Sequence, residues 1–222
     1  MFEFLVEYLP IIVNGLVLTL EVTIFGVFAG LALGTFLALG DIYGGRVTST
    51  LIRIYVEFFR GSPLIIQLFI SQYAVPAILK IPISPYITAF GVFALNSAAY
   101  QKGYIKGALE TVSTDQMEAG LSVGMSGKQT LWHVILPQAF RIVIPAWSNE
   151  FCSLTKSTSA LGFVGFMDLM GAGRTIAGQA YIILPAWIVI AAIYLTWITI
   201  FTKAADIIYE KKKIPGLEIS PI

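Results

Sequence analysis

Few residues of this 222-residue chain are of types that carry out covalent or metal chemistry. Its single cysteine, Cys152, excludes an internal disulfide and a cysteine-based zinc site, and its single histidine, His133, leaves little for general-base or metal chemistry. Gly127-Lys128 resembles the end of a phosphate-binding P-loop, but serine stands at 122 where that motif needs glycine, and glutamine follows Lys128. We therefore predict no catalytic, metal or nucleotide site in the chain itself.

The remaining polar side chains of interest lie inside apolar stretches, where an unpaired amide or charge is costly. We predict that they line a substrate pathway, and they are Gln67, Gln72, Asn96, Ser97, Asn149, Glu150 and Ser153. For the first four, hydrogen bonding between helices is an equally good explanation. The dense polar cluster over 149–156 predicts a break in a helix beside the pathway, since irregular backbone at membrane depth needs protein or water around it.

Glu57 and Arg60 are three residues apart and would share one helix face. We interpret them as a structural ion pair in preference to pathway residues. Gly61 and Pro63 follow directly and predict a local break in the helix.

Small residues recur at four-residue spacing in the first apolar stretch, at Gly26, Gly30, Gly34 and Ala38. Such a stripe lets another helix approach closely. We favour a helix of the same chain over a subunit interface.

The composition specifies the protein class. Hydrophobic residues make up 57% of the chain, charged residues only 12%, and the net charge is +1. A soluble protein of this size could not bury so much apolar surface. The chain is therefore neither a soluble enzyme, nor disordered, nor a nucleic-acid binder, and we predict an all-α integral membrane protein.

A membrane-spanning helix needs about 20 apolar residues. Five stretches qualify, at about 11–39, 51–79, 85–105, 134–154 and 182–208, and a short apolar piece follows at 160–170. We predict about five transmembrane helices in a single transmembrane domain over residues 1–222.

Lysine and arginine are concentrated between the first two stretches, around the third and fourth, and after the fifth. The positive-inside rule then places the C-terminus in the cytoplasm and the N-terminus outside. Residues 1–10 carry Glu3 and Glu7 and no basic residue, so we do not expect a signal peptide. We interpret Lys211–Lys213 as an anchor that ends the last span, in preference to a lipid-binding site.

The segment between the third and fourth stretches, residues 111–137, is the least apolar part of the chain, and we call it the inner loop. Ser113 with Gln116, and Ser126 with Gln129, each form a capping box that predicts a helix start. Gly124 lies between them, where a left-handed residue would end the first helix. We predict two short helices joined by a glycine turn at the cytoplasmic membrane surface.

The first of these helices has an apolar stripe at four-residue spacing, formed by Met117, Leu121 and Met125. Its acidic residues outnumber its basic ones, which argues against DNA binding. We interpret it as a docking helix for a cytoplasmic partner, with Glu118 offering a charge and Ala119 and Gly120 allowing close approach.

The same loop resembles the EAA loop of ATP-binding-cassette (ABC) importer permeases. Its residues run Glu118-Ala119-Gly120, three residues, Gly124, nine residues, then Val134-Ile135-Leu136-Pro137. The stretches Glu57–Leu64 with Gln67, and Asn149-Glu150 with Lys156, are similar to motifs of the polar amino-acid permeases. One departure is that the family commonly has a glutamate where Gly103 stands.

The resemblance implies a type I ABC importer transmembrane fold and a subunit that moves a polar amino acid by alternating access. It implies that Met117, Glu118, Ala119, Gly120, Leu121 and Gly124 dock on an ATPase subunit, which would bind the ATP and magnesium, so that this chain binds no cofactor. The implied partners are ATPase subunits, an identical or homologous second permease, an extracytoplasmic amino-acid-binding protein and the lipid bilayer of the cell membrane.

Two other classes remain as alternatives. An ion-coupled secondary transporter would need ionisable residues at mid-membrane within inverted repeats, and the sequence shows no internal repeat. A membrane-embedded enzyme would need a catalytic set such as a HExxH motif or paired acids facing a cavity, and none is apparent.

Overall fold

The computed structural model describes residues 2–179 and 183–214, and within these ranges it contains helices and no β-strand. The helices are α1 (Phe2–Tyr43), α2 (Arg46–Gly61), α3 (Leu64–Leu79), α4 (Pro85–Ser122), α5 (Gly127–Thr130), α6 (Leu136–Ser157), α7 (Leu169–Gln179) and α8 (Ile183–Lys212). A π-helical turn, Leu131–Ile135, joins α5 to α6, and a 3-10 helix, Thr158–Val164, follows α6. The short apolar stretch predicted at 160–170 therefore forms the 3-10 helix and the entry to α7.

Two helices, over Glu7–Tyr43 and Ile183–Lys212, are long and apolar enough to cross a membrane, and the α2–α3 pair would form a third span. Helices α4 and α6 coincide with the two other predicted stretches. Polar residues lower the mean hydropathy of α4 and α6, but several of these residues, including Ser97 and Glu150, are buried between helices. The all-α membrane fold predicted from the sequence is confirmed.

Helices α1 and α4 pack together along the stripe of small residues. A Cβ added at Gly30 would lie 2.7 Å from the Ser97 Cβ, and one added at Gly34 would lie 3.0 Å from the Lys102 amide nitrogen. Because the stripe is covered by a helix of the same chain, the preference for packing within the chain is confirmed.

The stretch at 51–79 is not one straight helix, because α2 and α3 meet at an angle of 107°. Helix α2 ends at Gly61, and Ser62 takes an extended conformation with φ −110° and ψ 142°. A residue that precedes proline is driven to this conformation, and Pro63 has no N–H with which to continue the α2 hydrogen bonds. The break predicted at Gly61 and Pro63 is therefore confirmed.

The break predicted within 149–156 is wrong. Helix α6 continues without interruption to Ser157, and irregular structure begins only with the 3-10 helix. The polar residues are tolerated in a regular helix because Glu150 and Thr155 are buried against other helices while Asn149 and Ser153 are exposed on the cavity side.

Where the C-terminal end of α1 meets the middle of α4, charged residues tie three helices together. Asp41 Oδ2 lies 2.6 Å from Lys102 Nζ and 2.8 Å from Lys106 Nζ, and Ser49 of α2 donates a hydrogen bond of 2.6 Å to Asp41 Oδ1. The Asp41 side chain is only 8% exposed. The cluster therefore fixes the α1–α2 connection against α4.

Candidate functional site: a polar cavity and the inner loop

A cavity of about 520 Å³ opens where the α2–α3 break faces α4 and α6, and we call it the central cavity. Side chains of several polar types line it, among them Arg60, Asn96, Tyr100, Asn149, Glu150 and Ser153. Donors, acceptors and charges of both signs therefore face one space, as a small polar solute requires.

Glu150 is held in place by a chain of hydrogen bonds between three helices. The Ser97 hydroxyl donates to Glu150 Oε1 at 2.8 Å, and Gln101 Nε2 donates to Ser97 Oγ at 2.9 Å and to the Val27 carbonyl at 2.8 Å. Glu150 is 5% exposed, so its position is fixed by these contacts. The network brings predicted residues from α4 and α6 together at the cavity wall.

Gln67 and Asn96 stabilise the broken backbone between α2 and α3. Asn96 Nδ2 donates to Gln67 Oε1 at 3.0 Å, and Gln67 Nε2 donates to the carbonyls of Phe59 at 2.9 Å and Ser62 at 3.0 Å. These carbonyls lose helical partners at the break, and the glutamine amide replaces them. Gln67 therefore joins helices and does not line the cavity.

Gln72 lies apart from the other predicted residues, in a π-helical turn of α3 (Ile70–Ala74). Its Oε1 is buried and accepts no hydrogen bond from the residues that the structure describes. Four of the seven residues predicted for the pathway line the central cavity, namely Asn96, Asn149, Glu150 and Ser153. Ser97 supports Glu150, Gln67 supports the α2–α3 break, and Gln72 does neither.

From the sequence, we did not place in the pathway three large polar side chains that line the central cavity. Arg60, Tyr100 and Tyr104 face it, and the Arg60 guanidinium lies over the Tyr100 ring, 5.2 Å from its centroid. The ion pair predicted between Glu57 and Arg60 is not formed among the described residues, because the Arg60 side chain turns to the cavity and stacks on Tyr100. The position of Arg60 directly before the Gly61–Pro63 break was the sequence signal for its place on the cavity wall.

The inner loop contains one sharp turn. Gly124 has φ +85°, its N–H donates to the Leu121 carbonyl at 3.0 Å, and the Met125 N–H donates to the Gly120 carbonyl at 3.0 Å. This pair of bonds is a Schellman motif, and it ends α4. The glycine turn predicted at Gly124 is confirmed.

The two predicted helix starts have different outcomes. Ser126 caps α5 as expected, since its backbone N–H donates to Gln129 Oε1 at 2.8 Å and its hydroxyl accepts from the Gln129 N–H at 3.3 Å. The start predicted at Ser113 is wrong, because α4 runs through this position to Ser122. The membrane helix and the first predicted short helix are one element, since nothing in the backbone separates them.

The inner loop presents an exposed surface around the turn. Glu118 and Ala119 are exposed, and so are the apolar side chains of Leu121, Val123 and Trp132, by 53%, 77% and 58%.

Two residues predicted to contact a partner face inward instead. A Cβ at Gly120 would collide with the Thr130 side chain, so this glycine permits close packing of α4 against α5 and not of a second protein. Met117 is half-buried and packs on the apolar cluster around Ile105 and Ile135.

A comparison with protein families matches residues 26–213 to the "Binding-protein-dependent transport system inner membrane component" family. The chain belongs to this family. It is therefore a multi-pass membrane permease of the ABC importer type. The type I importer fold and the similarity to amino-acid permeases, both predicted from the sequence motifs, are confirmed.

Curated relatives of this permease carry amino-acid transport names. A probable amino-acid ABC transporter permease, PatM of Vibrio harveyi, is 34% identical over 91% of this chain and 92% of its own. The L-cystine permease TcyB of Bacillus subtilis is 36% identical over 88% and 82%, and a putative glutamine permease GlnP of Rickettsia felis is 31% identical over 96% and 99%.

Solved structures agree on the fold. A chain of an amino acid ABC transporter crystallised with histidines superposes with a TM-score of 0.86 at 29% identity, over 95% of this chain and 98% of that one. The inward-facing MetNI methionine transporter superposes with a TM-score of 0.75 at 22% identity, over 92% and 97%, which supports the fold alone.

Proposed function

We propose that this permease translocates a polar amino acid through the central cavity by alternating access. The observation that carries the proposal is the cavity itself, in which Glu150 and Arg60 face one space at the break of a membrane helix. Broken helices beside polar side chains are typical of substrate sites in transporters. The amino-acid, cystine and glutamine names of the relatives support this substrate class.

The energy comes from ATP hydrolysis on separate ATPase subunits that dock on the inner loop. The exposed Glu118, Ala119 and Leu121, and the rigid turn at Gly124, support this docking surface. The ATPase subunits hold the ATP and magnesium, and this chain binds no cofactor and makes or breaks no covalent bond. The role of this chain is to convert movement of the docked inner loop into a switch between two arrangements of its membrane-spanning helices.

A second permease subunit, identical or homologous, completes the pathway. Glu21 supports this proposal, because it is exposed and lies ten residues inside the apolar run that begins at Ile11, about 15 Å along the helix. A charge so deep in lipid costs about 2.5–3.5 kcal/mol on insertion scales. Within the described residues it has no ion-pair partner and it lines an open cavity of this chain, which a second protein surface would cover.

The N-terminus lies outside and the C-terminus in the cytoplasm, which puts the inner loop on the ATPase side. The basic residues of α2, of the inner loop and of the α8 end support this orientation. An extracytoplasmic binding protein delivers the amino acid to the opposite face.

The test is ATP dependence of uptake in reconstituted vesicles. The permease is co-purified with its ATPase, reconstituted with its binding protein, and assayed with each of the twenty radiolabelled L-amino acids. Uptake that requires hydrolysable ATP and is insensitive to ionophores supports the proposal. Uptake driven by a proton or sodium gradient without ATP would instead establish the ion-coupled alternative.

A further inference from the structure

Helix α2 presents an apolar stripe that no described part of the chain covers. Val47, Leu51, Ile54 and Phe58 recur at spacings of four, three and four residues, and their side chains are exposed by 49% to 75%. This spacing places them on one face of the helix. All residues of α2 are described, and among them only Ile52 is buried. Something outside the chain must therefore bury the apolar face of α2.

Two unpaired arginines lie beside this stripe. Arg46 and Arg53 are exposed and seven residues, or two helical turns, apart, so they share a face. Neither has a carboxylate within ion-pair distance in the described part of the chain, and Glu57, one turn after Arg53, is exposed. An apolar stripe bordered by basic residues is typical of a helix at a membrane surface.

Positive charge exceeds negative charge where α2 meets α4. Arg53 lies close enough to Lys106 of α4 for the two charges to repel. Lys106 shares the carboxylate of Asp41 with Lys102, at distances of 2.8 and 2.6 Å. The second acidic neighbour of Lys106, Glu110, is 3.8 Å away and 60% exposed. An anion bound between Arg53 and Lys106 would relieve the repulsion.

The slope of α2 across the bilayer matches the length of a phospholipid. The Arg53 charge lies near Lys106, which follows the apolar stretch 85–105 and so lies at the depth of the headgroups. Tyr55 donates a hydrogen bond to the carbonyl of Leu95, 11 residues earlier on α4. Those residues span about 17 Å of helix. The apolar stripe therefore leads from the headgroups toward the acyl chains.

We propose that Arg53, with Arg46 and Lys106, binds the phosphate of an anionic phospholipid of the cytoplasmic leaflet, whose acyl chains lie along Leu51 and Ile54. The inference goes beyond the proposed function and uses only its orientation, in which this end of α2 is cytoplasmic. Arginine and lysine donate charge-assisted hydrogen bonds to phosphate. Basic groups between membrane helices on the cytoplasmic side are typical sites for anionic headgroups.

A phospholipid fits this face better than a second copy of the chain does. A two-fold contact between copies through this face would bring the same patch of each subunit together. The arginines of one copy would then face those of the other, which adds to the excess of positive charge. An anionic lipid neutralises the charge and covers the apolar stripe at once.

The test measures lipid binding to the complex of permease and ATPase, purified in a maltoside detergent. Dioleoyl phosphatidylglycerol, which has a net negative charge, and dioleoyl phosphatidylcholine, which has none, are titrated separately and detected by native mass spectrometry. We expect the wild-type complex to bind phosphatidylglycerol more tightly. Equal affinity for the two lipids would overturn the proposal.

The decisive variant combines Arg46→Gln with Arg53→Gln, and Lys211→Gln with Lys212→Gln is its matched control. Each double variant removes two exposed basic side chains, but the two lysines lie at the end of α8. The arginine variant should bind phosphatidylglycerol at least about fivefold more weakly, as the loss of a basic group beside an anionic headgroup predicts. The lysine variant should bind like the wild type, and an equal loss in both would show a general effect of surface charge and overturn the site.

A spin label at Leu51 tests what covers the stripe, even if the arginine variant fails to assemble. Leu51→Cys is made in a Cys152→Ser background, because Cys152 is the one native thiol. The labelled complex is reconstituted in vesicles of phosphatidylglycerol and phosphatidylcholine. We expect the label to be accessible to oxygen, which dissolves among acyl chains, and shielded from a water-soluble nickel chelate.

A label shielded from oxygen, or one coupled to the label of a second copy, would place protein on the stripe and overturn the inference. Neither the binding nor the accessibility measurement requires transport. Their failure is therefore distinct from a failure of the proposed function, which the uptake assay detects.

Discussion

Ser97 and Glu150 are 53 residues apart in sequence, and the Ser97 hydroxyl donates a 2.8 Å hydrogen bond to Glu150 Oε1. The bond fixes α4 against α6 at the wall of the central cavity. Oε2 receives no hydrogen bond from the described residues, so it remains available to a ligand. One oxygen of this carboxylate therefore joins α4 to α6, and the other is the one that the proposed substrate would meet.

Replacing Glu150 by alanine should alter substrate affinity and selectivity more than assembly. The variant removes the carboxyl group from the cavity wall, while Gln101 still holds Ser97 through its own bond. We expect the apparent KM for the transported amino acid to rise at least about tenfold, as the loss of a charged hydrogen bond predicts. Glu150→Gln is the control for shape, and an uptake profile unchanged in both variants would remove Glu150 from the pathway.

Replacing Gly124 by valine should leave membrane insertion intact but uncouple ATP hydrolysis from uptake. Valine is strained at φ +85°, so the turn that positions α4 and α5 would rearrange. The ratio of ATP hydrolysed to amino acid imported measures the effect and should rise. Gly124→Asn is the matched control, because asparagine tolerates the left-handed conformation, and normal coupling in the valine variant would contradict the role of the turn.

Replacing Gly30 by alanine should destabilise the bundle. The new methyl group would lie 2.7 Å from the Ser97 Cβ, and overpacking of this kind costs about 1–3 kcal/mol. Thermal unfolding in detergent should show a lower midpoint. Gly91→Ala is the control, since an added Cβ there meets nothing within 4 Å and alanine favours the helix. Equal midpoints for the two variants would show that α1 and α4 do not pack as described.

Asp41→Asn should be more destabilising than Lys106→Gln. Lys102 is only 13% exposed and loses its carboxylate in the first variant, whereas Lys106 is 33% exposed and can be solvated. Unpairing a buried charge costs about 3 kcal/mol, and an exposed pair contributes about 1 kcal/mol or less. Thermal midpoints measure the difference, and a larger loss in Lys106→Gln would contradict the assignment of Lys102 as the principal partner.

Several local features were predictable from the sequence, although the helix start predicted at Ser113 was not found. The turn at Gly124, the cap at Ser126 and the break at Gly61–Pro63 each depend on the backbone preferences of a few neighbouring residues. The stripe at Gly26, Gly30 and Gly34 depends only on helical periodicity.

Features that depend on distant residues were not predictable. Arg60 was paired with Glu57 because they share a helix face, yet its contact is Tyr100, 40 residues away in sequence. The polar cluster at 149–156 appeared incompatible with a regular helix until Ser97 provided the partner for Glu150. Neither the Arg60–Tyr100 contact nor the Ser97–Glu150 contact produces a repeating sequence pattern from which it could be predicted.

Helix α4 connects the central cavity to the inner loop without interruption. Between Ser97 and Ser122 it runs for about 38 Å, at 1.5 Å per residue. If a helix of that length tilts by about 5° about one end, its other end moves by about 3 Å. A tilt imposed at the inner loop would therefore reach the central cavity through the helix itself, without a relay of rearranging side chains.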